Sequence, residues 1–128
     1  MNYLYLIAGI LSLSASVGHF TMGSKDFLKP VLASGIEIIP KKVMHSLFQY
    51  MSVYLVLTTV ILLMFSFGKT WFFQTEQDVA VFIGITYAGL AIVQIIIAVT
   101  SSIERGILKL FQWVFWLLIA LFAIWGSL

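Results

Sequence analysis

The chain carries two histidines, His19 in the stretch VGHFTMGSKDFLKP and His45 in PKKVMHSLFQY. Imidazole is the side chain that titrates near neutral pH and the commonest protein ligand for metals. Met22 follows His19 by three residues and shares its face of a helix. A set of His19, Met22 and His45 is soft enough for copper(I), a transition metal. Zinc or iron would want a further ligand, and Glu37 or Glu104 could supply it. Two imidazoles facing one another across a bundle core are also the ligand pair of a bis-histidine haem. Polar side chains recur in the same apolar context: Ser16, Gln49, Tyr87, Gln94 and Gln112. Together with the histidines they would line a ligand pocket. Enzyme chemistry has less support. The chain has no cysteine, no HExxH, no Gly-x-Ser-x-Gly and no paired carboxylate within its apolar runs.

The elements that must position these residues are read from composition. Hydrophobic residues make up 62% of the 128 and charged residues 9%, against roughly 45–50% and 25% in soluble domains. So few charges cannot cover a soluble globule of this size, so lipid must be the main solvent. A net charge of +2 is too small to suggest nucleic acid. Four apolar runs, 3–22, 43–67, 79–100 and 107–127, approach or exceed the ~20 residues that a helix needs to cross a bilayer. Backbone groups in lipid must be satisfied within the segment, which favours helices. The expected fold is therefore an all-α membrane protein: one domain, 1–128, with four transmembrane helices in an antiparallel bundle. The first run reads as a retained helix, because "MNYLY" has no Lys or Arg and the run is long for a signal peptide. Between helices one and two, Ser24–Ile39 mixes Lys25, Asp26, Lys29 and Glu37 with Phe27, Leu28, Val31 and Leu32. That mixture predicts a short interfacial helix on the membrane surface. Pro40 suits the first turn of helix two, Thr75 with Asp78 a cap for helix three, and Ser101 or Ser102 a cap for helix four. Gly106 suits a break after helix three.

Four crossings place Lys25, Lys29, Lys41, Lys42, Arg105 and Lys109 on one side, and Lys69 on the other. A six-to-one split predicts an inner (plasma) membrane protein with both termini outward. Trp71, Phe72, Phe73 and Trp125 would then form an outer aromatic belt. Helices ending near Met22 and starting near Lys41 put His19 and His45 at one depth, about a turn inside the cytoplasmic boundary, with Gln49, Gln94 and Gln112 beneath them. Each helix also has a stripe of small and polar residues, of the kind that packs against neighbours. The first functional reading is a His/Gln-lined pocket on the cytoplasmic side that binds a small ligand, metal or haem, with transport as one use. Proton-coupled cation export lacks the mid-span carboxylate it normally needs. The alternative is a non-catalytic accessory or scaffold subunit of a larger membrane complex. Aromatic-rich outer faces lead us to expect a homodimer or a place in such a complex.

Overall fold

The structure is a computed structural model that describes residues 1–70, 73–100 and 104–128. All regular structure among these residues is helical. Helix α1 (Tyr3–Gly18) starts at Asn2, whose side-chain oxygen accepts from the Leu4 and Tyr5 amides at 3.0 and 3.2 Å. Capping satisfies two of the donors that a helix start leaves free. The same residue ties three chain segments together. Its backbone N–H donates to the Ser66 carbonyl at 2.9 Å, and its Nδ2 donates to the Gly126 carbonyl at 2.8 Å.

Beyond Gly18 the chain does not stop near Met22. It widens into a π-helix, His19–Leu28, and then tightens into α2 (Lys29–Ala33), giving one continuous rod over Tyr3–Ala33. The separate surface helix expected over Ser24–Ile39 is not formed. Leu28, Val31 and Leu32 are half-buried on a face that prolongs α1, so the alternation of charge and apolar residues marks the two sides of one rod. The turn is short, Ser34–Glu37, and α3 (Ile38–Ser66) follows. Pro40 falls in its first turn, where its missing N–H costs nothing. Twenty-nine residues make α3 about 43 Å long.

Helix α4 (Glu76–Thr100) opens beside Thr75, whose hydroxyl donates to the Asp78 carboxylate at 2.6 Å. The sequence predicts a cap made by Thr75 with Asp78; the bond observed joins the two side chains instead of a side chain and a backbone N–H. The last apolar run is not one helix. A single turn, α5 (Gly106–Lys109), breaks at Leu110 (φ −100°, ψ 53°) before α6 (Gln112–Ser127) begins. Arg105 makes the preceding bend with a left-handed backbone, φ 57°. Trp113 holds the break together by donating its indole N–H to the Ile107 carbonyl at 3.0 Å. Three helical segments, Tyr3–Ala33, Ile38–Ser66 and Glu76–Thr100, are long and apolar enough to cross a membrane. Helix α6 alone has 16 residues, about 24 Å, short of the ~20 needed. The expected caps at Ser101 and Ser102, and the belt residues Trp71 and Phe72, lie outside the described residues.

Helix α1 packs between α3 and α6, and α4 packs on the far side of α6; α3 and α4 approach each other only sparsely. Where these helices meet, one partner is a glycine. A Cβ on Gly9 would come within 2.7 Å of Leu63, one on Gly84 within 2.5 Å of Ile124, and one on Gly126 within 2.6 Å of Tyr5. Lipid tails are as apolar as leucine, so close backbone approach and dispersion replace the hydrophobic effect as the cohesive force. The largest fully buried apolar side chains are Tyr5, Leu55, Leu62, Phe65, Ile83, Tyr87 and Ile119. Leu, Ile, Val and Phe cover the outward faces.

Candidate functional site

Small hydroxyl side chains dominate the polar interior. Ser12 and Ser16 sit one turn apart on α1, Thr58 and Thr59 are adjacent on α3, and Tyr87 reaches in from α4. All five are buried. Ser12 Oγ lies 2.7 Å from Thr59 Oγ1 and 3.2 Å from the Tyr87 hydroxyl. Tyr87 in turn lies 2.7 Å from Thr58 Oγ1. Ser16 Oγ lies 3.2 Å from Thr59 and donates to the Ser12 carbonyl at 2.9 Å. Both threonines also reach back along their own helix, Thr58 to the Tyr54 carbonyl at 2.9 Å and Thr59 to the Leu55 carbonyl at 2.7 Å. The Tyr87 ring is flanked by Tyr54 and Trp116, with centroids at 5.4 and 5.6 Å. One tyrosine hydroxyl thus links α1, α3 and α4, and its ring touches α6.

The second polar locus is His19, the first residue of the π-helix. Its Nε2 lies 2.9 Å from Ser52 Oγ and 3.2 Å from the Phe48 carbonyl. Its ring stacks on Phe48, centroids 3.9 Å apart and planes 17° from parallel. Gly23, one wide turn further on, is buried against the same phenylalanine.

Helix register decides what the two histidines can do together. Asn2 meets Ser66, Gly9 meets Leu63, Ser12 meets Thr59 and His19 meets Ser52. Paired positions add to about 70, which sets His45 opposite the region of Ser24–Asp26. From His45 to Ser52 is seven residues, two turns or about 10 Å along the axis. The expected face-to-face pair is therefore not what this hairpin builds. The sequence reading ended helix one near Met22, and its continuation as a rod moves the turn, and with it the register, toward Ser34. His45 instead has Gln49 Nε2 at 3.4 Å, a long contact with its own next turn.

The remaining expected site residues divide between the two levels. Ser16 and Tyr87 belong to the hydroxyl cluster. Gln49 is exposed, and Gln94 is half-buried without a hydrogen bond among the described residues. Gln112 Oε1, at the start of α6, is buried without a hydrogen-bond partner among the described residues. Met22 is 54% exposed, turned away from a shared ligand set with His19. Among the described residues no group of three or more His, Asp or Glu side chains comes together as a metal site. With two imidazoles at different levels, the residues present do not fit an axial haem pair either. Two open clefts, of about 560 and 640 Å³, lie at the other end of the molecule. Met1–Leu4, Phe65, Gly68 and Glu76 line one, and Val60, Met64 and Gly68–Thr70 line the other.

Ser12, Ser52 and Thr59 lie on the small and polar stripes of their helices, but sequence reasoning missed two other participants. Phe48 is one, since an apolar residue in an apolar run carries no mark of a ring stack. Thr58 is the other; its neighbour Thr59 lies on the polar stripe, and the 100° step between them hid the fact that Tyr87 would approach from α4. No protein-family model matches this chain, no curated protein matches it, and no solved structure matches its fold.

Proposed function

We propose that the chain is a multi-pass protein of the inner membrane, in which α5 and α6 together make a fourth crossing, and that it serves as a non-catalytic accessory or scaffold subunit of a membrane complex. One observation carries this reading. The buried hydroxyls that would line a mid-depth binding site bond to one another across α1, α3 and α4, so their hydrogen-bonding capacity goes into holding the bundle together. Such bonds are helix glue at roughly 0.6 kcal/mol each. What the protein leaves for recognition is its outward surface, apolar along every long helix. The six-to-one basic split supports the orientation with both termini outward. A photo-crosslinking amino acid placed at Leu57, Phe82 or Leu121, all outward, tests the reading in intact membranes. Adducts of one defined mass, larger than the chain, are expected from at least one position. Lipid adducts alone at every outward position would refute it.

A second reading, a small-ligand site at His19, has an observation of its own. π-Helical geometry is rare, occurs mostly as single turns, and recurs at functional sites. Here it runs for ten residues and begins at the one histidine that points into the bundle. An absorption spectrum and metal analysis of protein purified without chelators test it. Stoichiometric metal or a chromophore lost in His19→Ala would favour this reading over the first.

A further inference from the structure

We infer that the turn end of the α1–α3 hairpin is a binding site for the phosphate of an anionic phospholipid headgroup, formed by Lys25, Lys29 and Lys42 around a fixed Lys41. Four lysines fall within 18 residues, two on each arm of the hairpin. Among the described residues none of them is in an ion pair, although Asp26 and Glu37 belong to the same segment, so the end keeps an excess of two positive charges. Lys41 is held in place: its ammonium donates to the Ser34 carbonyl at 2.7 Å, at the C-terminus of α2, where the helix dipole favours a cation. Lys25, Lys29 and Lys42 are exposed and hold no such bond.

Depth assigns the ligand. Asn2, Ser66 and Gly126 are bonded at one level, with Lys69 just beyond it, which marks one edge of the apolar slab. Lys42 lies 24 residues along α3 from Ser66, about 36 Å. The hydrocarbon core is ~30 Å thick and the headgroup layers bring the total to ~40–45 Å. Lys42 therefore stands about 6 Å past the hydrocarbon, where lipid phosphates are. Lys25 and Lys29, on the facing arm, flank the same level through the hairpin register. Val43 and Leu47, exposed on α3 nearer the middle, offer an apolar track for the acyl chains of the same lipid. A free phosphate ion would use the lysines without this track.

The inference rests on the chain crossing the membrane, not on its having a protein partner. It is tested on the full chain in nanodiscs of equimolar phosphatidylglycerol and phosphatidylcholine with identical acyl chains. Lipids retained on the protein are identified by native mass spectrometry. Wild type should retain phosphatidylglycerol preferentially. The triple variant K25Q/K29Q/K42Q should lose about fivefold in preference per lysine, the factor equivalent to ~1 kcal/mol for each basic residue near an anionic surface. K25R/K29R/K42R should restore the preference, and K69Q at the opposite end should leave it unchanged. No preference in wild type, or a preference that survives the glutamine triple, overturns the site. Full displacement of the lipid by excess inorganic phosphate would overturn the lipid assignment by making free phosphate the ligand.

Discussion

Removing the Tyr87 hydroxyl leaves the ring between Tyr54 and Trp116 and deletes two interhelical contacts, 2.7 Å to Thr58 and 3.2 Å to Ser12. Each partner keeps another bond. Thr58 still donates to the Tyr54 carbonyl, and Ser12 still meets Thr59 at 2.7 Å. No buried group is orphaned, so the desolvation penalty that makes many buried polar deletions costly is absent here. At ~0.6 kcal/mol per bond, Tyr87→Phe should lower stability by about 1 kcal/mol. Tyr87→Ala also deletes the ring and opens a cavity, and should cost ~3–5 kcal/mol. Reversible unfolding in mixed micelles, read by tryptophan fluorescence, measures both. A double-mutant cycle with Thr58→Val should give a coupling near the cost of one bond, ~0.5 kcal/mol. A loss above 3 kcal/mol for Tyr87→Phe would refute the assignment of the cluster as glue. So would normal stability in that variant accompanied by loss of cellular function, since the hydroxyl would then be doing chemistry.

Gly84→Ala should weaken the α4–α6 contact by ~1–3 kcal/mol in the same assay, while Gly89→Ala, with nothing near its Cβ position, should be neutral or slightly stabilising. His19→Ala removes the Ser52 bond and the Phe48 stack and should cost ~1–3 kcal/mol; His45→Ala, which loses one 3.4 Å contact, should cost under ~0.5 kcal/mol. Asn2→Ala should cost ~1 kcal/mol and speed hydrogen exchange at the Leu4 and Tyr5 amides, which lose their acceptor. A cysteine at Ser24 should react with an impermeant thiol reagent only after cells are opened, and one at Gln77 in intact cells; the reverse pattern would invert the topology.

The sequence revealed the helices to different degrees, and the differences have physical causes. Runs 43–67 and 79–100 carry no Asp, Glu, Lys or Arg, and α3 and α4 cover them except for Phe67, which follows α3. Thr75 and Asp78 do meet at the start of α4, through their side chains and not through the backbone N–H bonds that a capping box would use. The continuation of α1 through charged residues was not legible. Lys25, Asp26 and Lys29 look like part of a separate surface helix when lipid is assumed on every side, yet they lie on the exposed side of one continuous rod. A π-helix has no sequence signature in composition or period, so the register that separates His19 from His45 could not be read either. The break at Leu110 was hidden because neither Gly nor Pro stands beside it; its neighbours are Lys109 and Phe111. Of the polar residues singled out, Ser16 and Tyr87 join the core cluster, because short stripes on well-formed helices predict direction well. The glutamines scatter, because their long side chains and their depth depend on register.

The sparse approach of α3 to α4 divides the protein into two hairpins, α1–α3 and α4–α6, whose main seam is the contact of α1 with α6. Chain continuity between α3 and α4 contributes little to that seam. Helix α1 therefore finds its second neighbour only once α6 has been made, and Asn2 then gains the Gly126 carbonyl. Each hairpin must persist in the bilayer on its own until then. Fragments cut at the connection and expressed separately, 1–68 and 74–128, should consequently find one another and rebuild the seam, which makes this chain a natural candidate for split reporters of membrane assembly.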